Sequence, residues 1–305
     1  MIKLGFVSAI LGQNTFEEVI TFAAKHDFQC VEVLCEPAGK TDRKYGGIAH
    51  IDVESLTAPK AQQINAYARE HKVQLSALAY YQNTMHEDEA KQEAAIAHLL
   101  KVIDAAAMLG LPNVNAFAGR VQSKPLSYNF GLFKELWTPI MRHAEAKGVK
   151  IGIENCPMYF TKDEWPNGWN IAYCPANWRK MFELVPSNNL GLNYDPSHLL
   201  WLQIDYVKPL YEFKDKIFHV HIKDTKMMKD KLDEVGILAT PLEFHAPKLP
   251  GLGEVQWGRF MSALTDIGFR GCACIEVEDL AYQKEEGDVE NALVQSNRFM
   301  RQFIV

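Results

Sequence analysis

The sequence predicts a closed α/β barrel of eight parallel strands, and three observations lead to it. Eight short apolar or β-branched runs alternate with eight amphipathic helical patterns along the 305 residues. Several runs are continuously apolar, as strands covered on both faces require. The length suits one such barrel, read here as a single domain over residues 1–305. An open doubly wound sheet is the competing arrangement, but no Gly-x-Gly-x-x-Gly follows the first strand.

The predicted strands are Ile2–Val7, Cys30–Leu34, Val73–Ala79, Asn113–Phe117, Lys150–Glu154, Leu190–Asp195, Ile217–Ile222 and Ala273–Val277. The predicted helices cover Thr15–His26, Pro59–His71, Glu87–Leu109, Tyr128–Lys147, Pro175–Leu184, Tyr206–Phe213, Val255–Ile267 and Asp288–Phe299. Thr15 with Glu18 forms a capping-box signature, and Pro59 suits a first helical turn. Gly110, Gly148 and Gly268 each fall where a helix must stop before a strand. Two connections are long, residues 155–174 with Trp165 and Trp169, and residues 225–254 with three prolines. Both follow strands and so belong to the barrel's C-terminal face, where long loops carry function. The aromatic residues of the first loop suit a substrate wall, loop packing or a subunit contact.

Composition narrows the function classes. A net charge of −6 argues against a broad nucleic-acid surface. No apolar run reaches the roughly 18 residues of a membrane span. The N-terminus opens on a strand rather than a signal segment, so the cytoplasm is the expected location. Six cysteines without a Cys-x-x-Cys pair read as reduced, mostly buried thiols.

Chemistry concentrates at four successive strand ends. Strand five ends Ile-Gly-Ile-Glu-Asn with Glu154 at its tip; strand six ends in Asp195, with His198 just beyond. Strand seven reads His-Val-His-Ile-Lys-Asp, carrying His219, His221 and Lys223 on one face. Strand eight carries Glu276 and then Glu278. In a barrel these tips converge, and three carboxylates with one imidazole make a hard N/O ligand set for Mg²⁺, Mn²⁺, Co²⁺ or Zn²⁺. His221 is the histidine nearer the rim; His219 sits deeper.

These motifs resemble the xylose isomerase-like barrel family, in its sugar phosphate isomerase/epimerase group. The resemblance rests on Ile153-Glu154-Asn155, Asp195-Pro196-Ser197-His198, His219 through Asp224, Ile275-Glu276, and Pro250-Gly251-Leu252-Gly253-Glu254 followed by Trp257. It implies that Glu154, Asp195, His221 and Glu276 hold one divalent metal, Mn²⁺ or Mg²⁺ before Zn²⁺ or Co²⁺. It implies further that Glu154 and Glu276 form the acid/base pair. His198 matches a position that contacts substrate or supports the ligands, and Lys223 lies where the group often places a polar substrate contact. Arg120, at the end of strand four, and Lys223 are the candidate anion contacts, but no glycine-rich phosphate nest follows strands seven or eight. The expected substrate is therefore a free sugar or polyol. The expected reaction is isomerisation or epimerisation through an enediolate; a dehydratase acting on an inosose-like ketone is the alternative, and a silent sugar-binding protein is a further one. An abasic-site endonuclease is disfavoured because Ala79-Tyr80-Tyr81, Ala116 through Gly119 and Ala246-Pro247-Lys248 lack the extra ligands. A homo-oligomer, dimer or tetramer, is expected from the resemblance and the Trp165/Trp169 loop.

Overall fold

The computed structural model describes residues 1–39, 46–159, 161–285 and 287–304. Strands β1 (Lys3–Val7), β2 (Cys30–Leu34), β3 (Gln74–Tyr80), β4 (Asn113–Ala116), β5 (Lys150–Glu154), β6 (Leu190–Tyr194), β7 (Ile217–Ile222) and β10 (Cys272–Ile275) form the barrel. A two-stranded antiparallel ribbon, β8 (Asp224–Met227) with β9 (His245–Lys248), is inserted after β7. The eight barrel strands close in the order β1-β2-β3-β4-β5-β6-β7-β10, and every neighbouring pair is parallel. The closing pair aligns Lys3 with Cys272 and Phe6 with Ile275.

Each strand is buried on both faces, which is why the runs read as continuously apolar. Leu4 and Phe6, Val31 and Val33, Ile151 and Ile153, and Leu190 and Leu192 belong to one core shared with the helices. The helix over Phe16–Lys25 turns Phe16, Val19, Ile20 and Ala23 inward, the i, i+3, i+4, i+7 stripe of an amphipathic helix. Its capping box is formed: the Thr15 hydroxyl accepts from the Glu18 amide, and the Glu18 carboxylate accepts from the Thr15 amide. Gly110 ends the Glu89–Leu109 helix in the left-handed region at φ 68°, a conformation open to glycine at little cost.

The structure adds elements the periodicity did not signal. A six-residue helix, Pro196–Trp201, starts directly after β6 with Asp195 as its N-cap. A second helix, Lys229–Val235, lies between the ribbon strands, and its Lys229 and Lys231 pair with Asp233 and Glu234 of the same helix. The predicted helix over Tyr206–Phe213 contracts to Lys208–Glu212 because Asp205 accepts from the Val207 and Lys208 amides and holds the preceding residues in a turn. The predicted strand over Ala273–Val277 ends at Ile275, so Glu276 is the first residue beyond it.

Candidate active site

Four polar side chains meet where β5, β6, β7 and β10 end. Glu154 is the last residue of β5 and its side chain is buried. Asp195 follows β6 at once, and its Oδ1 accepts from the Ser197 amide and hydroxyl, each at 2.7 Å. That cap fixes the carboxylate and leaves Oδ2 turned inward. His221 lies on β7 two residues beyond His219, with Lys223 next on the same face. Glu276 stays in register because its amide donates to the Ile222 carbonyl at 3.1 Å. One ligand atom each from Glu154, Asp195, His221 and Glu276 lie within 4.8 Å of one another. His221 Nδ1 is 3.5 Å from Glu154 Oε1 and 3.7 Å from Glu276 Oε2.

Lys223 enters this cluster. Its ammonium donates to Glu276 Oε2 at 2.7 Å and lies 3.2 Å from Asp195 Oδ2 and 3.3 Å from Glu278 Oε2. Burial works to lower its pKa, but Glu276, Glu278, Asp195 and Glu154 outweigh it and hold the charged form. The two glutamates are not equivalent. Burial opposes ionisation of Glu154, yet His221, His198 and Lys223 together hold its carboxyl well below the usual range. Burial pushes Glu276 up to about 7, Glu278 and Glu154 add to the rise, and Lys223 and His221 act against it.

A divalent cation fits these residues. Asp195 Oδ2 and His221 Nδ1 are buried without a hydrogen-bond partner, although both belong to the cluster. Asp195 Oδ2 keeps the Lys223 ammonium 3.2 Å away, but an unsatisfied buried polar atom costs about 1–3 kcal/mol, so His221 Nδ1 argues for an electrophile at this point. Three carboxylate oxygens and one imidazole nitrogen are the donors that hard and borderline dications take.

The sequence pattern of the xylose isomerase-like TIM barrel matches residues 20–303. The chain belongs to that family. The protein YfiH of Bacillus subtilis, itself uncharacterised, is 27% identical over 93% of this chain and 95% of its own length. Among solved structures, the IolI protein with a bound zinc atom superposes with a TM-score of 0.73 at 20% identity, covering 99% of this chain and 98% of that one. The 3-keto-D-glucoside 4-epimerase YcjR of Escherichia coli gives 0.71 at 14% identity over 99% and 100%. These likenesses extend the family fold over nearly the whole chain.

Within this family barrel, the remaining expected residues fall in two places. His198, on the Pro196–Trp201 helix, comes to the cluster: its Nε2 is 3.3 Å from Asp195 Oδ2 and 3.5 Å from Glu154 Oε1. Arg120 does not join that cluster through its fork. Its two terminal nitrogens donate to the backbone and side-chain oxygens of Asn167, at 2.8 and 2.9 Å. It therefore anchors the long loop after β5 to the end of β4. The aromatic residues of that loop also turn to their own chain: Trp165 Nε1 donates to the Leu238 carbonyl and Trp169 packs on His86.

Two supporting residues escaped the sequence reading. Glu32, midway along β2, is fully buried and reaches across the barrel to place Oε2 2.9 Å from His221 Nε2. A carboxylate only accepts, so Nε2 carries a hydrogen, and in the neutral ring Nδ1 is the nitrogen free to accept. Tyr81 donates to Glu32 Oε1 at 2.5 Å and Asn115 donates to Oε2 at 2.9 Å. Burial would raise the Glu32 pKa, but His221, His219 and Tyr81 reverse this and keep it ionised. His219, one step deeper, faces Asn193 Oδ1 at 3.1 Å and Ser76 Oγ at 3.0 Å.

The second escaped residue is Asp224. Its carboxylate accepts from the amides of Thr225, Gly251 and Val255 and from Trp257 Nε1, at 2.8 to 3.0 Å. It is the post that holds the loop after the ribbon. A Cβ at Gly253 would stand 2.3 Å from Asp224 Oδ1 and 2.5 Å from the Thr225 carbonyl, so the loop closes on that post only with glycine there.

Proposed function

We propose that this protein is a divalent-cation-dependent isomerase or epimerase of a free sugar or related polyol. One observation carries the reading: Glu154 and Glu276 bring two carboxylates to one cluster that fits a cation, 3.5 and 3.7 Å from His221 Nδ1. Two carboxylates beside one cation can take a proton from a substrate carbon and return one to it or to its neighbour. The zinc held by IolI and the 4-epimerase activity of YcjR, both on the same fold, support the reading.

Glu154, Asp195, His221 and Glu276 would hold the cation. Bound there, it supplies Lewis acidity that polarises a substrate carbonyl and lowers the pKa of the adjacent C–H. One glutamate then removes that proton, and Lys223 and His198 supply polar contacts to the substrate oxygens. Return of a proton by the opposite glutamate inverts the carbon and gives an epimer. Return at the neighbouring carbon gives the aldose–ketose isomer. A free sugar rather than a phosphate ester is favoured because the Arg120 fork is engaged by Asn167.

The test is incubation of the Mn²⁺-loaded protein with a panel of aldoses, ketoses and keto-polyols in D₂O. The expected outcome is deuterium at one substrate carbon together with an epimer or isomer, both abolished by chelation. Loss of water with an ultraviolet-absorbing product would replace this reading with a dehydratase. Absence of exchange with every member of the panel, cation bound, would reject the proton-transfer reading.

A further inference from the structure

We propose that the barrel carries an anion site at the end of the strands opposite the carboxylate cluster, a groove that takes a linear chain of phosphate groups. The groove, of about 850 Å³, opens where β1, β3 and β4 begin. Lys3 and Gln74 are the first residues of β1 and β3, and Gln29 directly precedes β2. Arg69 lies in the last turn of the helix Ala58–Glu70, and Lys72 just beyond it. Three cations and no carboxylate line this groove among the described residues, in a chain of net charge −6. A cleft lined by one sign of charge concentrates counter-ions. The cation cluster and the reaction proposed above supply no premise for it.

The hydrogen bonds of the wall leave donors over. Gln29 Oε1 accepts from the Leu4 amide at 3.1 Å, and Gln74 Oε1 accepts from Lys3 Nζ at 2.5 Å. Each side-chain amide thus has its oxygen engaged and its NH₂ left to donate. Arg69 spends Nε on the Asn65 carbonyl at 3.2 Å, which leaves the two terminal nitrogens that can grip a phosphate together. Cations at a helix C-terminus often serve the last carbonyls of that helix. Here those carbonyls are taken by backbone amides: Tyr67, Arg69 and Ala68 accept from His71, Lys72 and Val73. At the neighbouring Glu89–Leu109 helix, Ala106 and Ala107 accept from the Leu111 and Gly110 amides, and Leu109 accepts from Asn65 Nδ2. The side-chain charges are therefore not used up as caps.

The donors set the ligand class. A groove rich in donors and positive charge takes a ligand with several acceptor oxygens and negative charge spread along its length. No aromatic ring lines the groove, so it offers no platform for a base, and the phosphate chain itself is what it recognises. A second groove, of about 670 Å³, shares Gln29 and Lys72 with the first. It adds Lys25 and Arg298 against one acid, Asp27, so a longer chain can continue past Lys72. The shared chemistry is a linear triphosphate, either free or as the tail of a nucleotide.

The experiment is calorimetric titration of the metal-free full chain with inorganic tripolyphosphate, ATP and sulfate, at about 0.02 M and about 0.15 M salt. We expect one equivalent of tripolyphosphate, bound at least tenfold more tightly than sulfate and more weakly at the higher salt. ATP should bind no more tightly than tripolyphosphate; a tenfold preference for ATP would keep the site and name a nucleotide as its source. Arg69→Gln with Lys72→Gln should weaken tripolyphosphate at least tenfold. Lys134→Gln with Lys208→Gln removes the same charge at exposed positions outside the groove and should cost less than threefold. In the unaltered protein, tripolyphosphate should slow acetylation of Lys3 and Lys72 but not of Lys134, mapped by peptide mass, which gives a reading free of any folding defect in a variant. No binding at the lower salt overturns the site. Sulfate bound as tightly, or several weak equivalents, would mean an adventitious ion only and overturns it too. Equal losses in the two double variants, or protection of other lysines with Lys3 and Lys72 left reactive, overturn its placement in this groove. Each of these failures leaves the cation cluster and its proposed reaction standing.

Discussion

The two halves of the barrel serve the site differently. Strands β5, β6, β7 and β10 end in, or run directly into, Glu154, Asp195, Lys223 and Glu276, with His221 just inside the rim. Strands β1, β2, β3 and β4 end in Val7, Leu34, Tyr80 and Ala116 and bring no charge to their last position. What they bring sits lower or just past the tip: Glu32 and Asn115 in the lumen and Tyr81 above β3, with Asn115, Tyr81 and His221 each bonded to Glu32. One half presents ligands and proton carriers, while the other fixes a ring across the barrel. A constellation held from two directions is more precise than one held along its own strands.

The sharpest way to break this division is at the two glutamates. Glu154→Gln or Glu276→Gln keeps an oxygen in place and removes proton transfer, and turnover should fall at least roughly 10²-fold. Steady-state rates under saturating Mn²⁺, with bound metal measured in the same sample, check it. Full turnover in both variants with the cation in place would send the search for proton carriers to His198 and Lys223. Asp195→Ala and His221→Ala belong to the same half but should act on affinity. Calorimetry should show Mn²⁺ binding weakened by about 10²-fold or more, beyond what loss of a supporting residue costs. Unchanged affinity in both would remove them from the ligand set.

Glu32→Gln probes the opposite half. The side chain supplies no ligand atom to the cluster, yet the variant loses the charge that fixes the hydrogen on His221 Nε2. Mn²⁺ affinity should drop by about 10- to 100-fold, the usual range for such a partner. Melting of the metal-free variant separates this from a general loss of fold. An affinity equal to that of the unaltered protein would make Glu32 a mere space-filler and dissolve the contrast between the halves.

That contrast also explains what was legible in the sequence. The ligand half could be read because each strand places an ionisable residue directly after apolar ones, and strand parity separates His221 from His219. The supporting half could not be read so easily. Glu32 sits inside Cys-Val-Glu-Val-Leu, where one acid in an apolar run gives no clue to its partner 189 residues away. Parity was the available signal: Val31 and Val33 join the main core, so Glu32 between them faces the lumen. The ribbon was hidden for another reason. Its strands are four residues each, and pairing such as Asp224 with Lys248 is non-local and leaves no period. Asp224 itself looks like one more rim carboxylate, and only the four donors around it reveal a loop post. The helix after β6 had its signal, Asp-Pro, but six residues are too few for a periodicity. Arg120 was legible as a cation at a strand end, whereas its engagement with Asn167 depends on how the loop folds back.

The smallest expected effect lies in the ribbon that belongs to the ligand half. His245, on β9, stacks on Trp201 with ring centres 4.9 Å apart and planes 6° apart. Its Nδ1 faces Thr225 Oγ1 at 3.2 Å. Burial lowers its pKa to about 4 from the usual 6.5, and the charges of His198 and Lys223 push the same way while Glu278 opposes them. A histidine depressed in the folded state favours the neutral ring there. Above about pH 6.5 both states are neutral and the contribution to stability is constant and complete. As pH falls from 6.5 toward 4 the unfolded chain takes a proton that the folded chain refuses, and stability is lost through that window. The loss by about pH 4 would be on the order of 3 kcal/mol, less whatever solvent reaches the ring. His245→Phe keeps the stack on Trp201 and removes the titration. Urea denaturation of the metal-free proteins at about pH 7 and about pH 5 should therefore give a shallower decline in the variant. The variant starts slightly less stable at neutral pH, since Thr225 loses a partner, and the two curves should approach each other as the pH falls. Parallel curves would mean that His245 gains its proton in the folded state as readily as in the unfolded one. The ribbon would then stand open to water above the ligands, and the ligand half would be covered no better than the half that supports it.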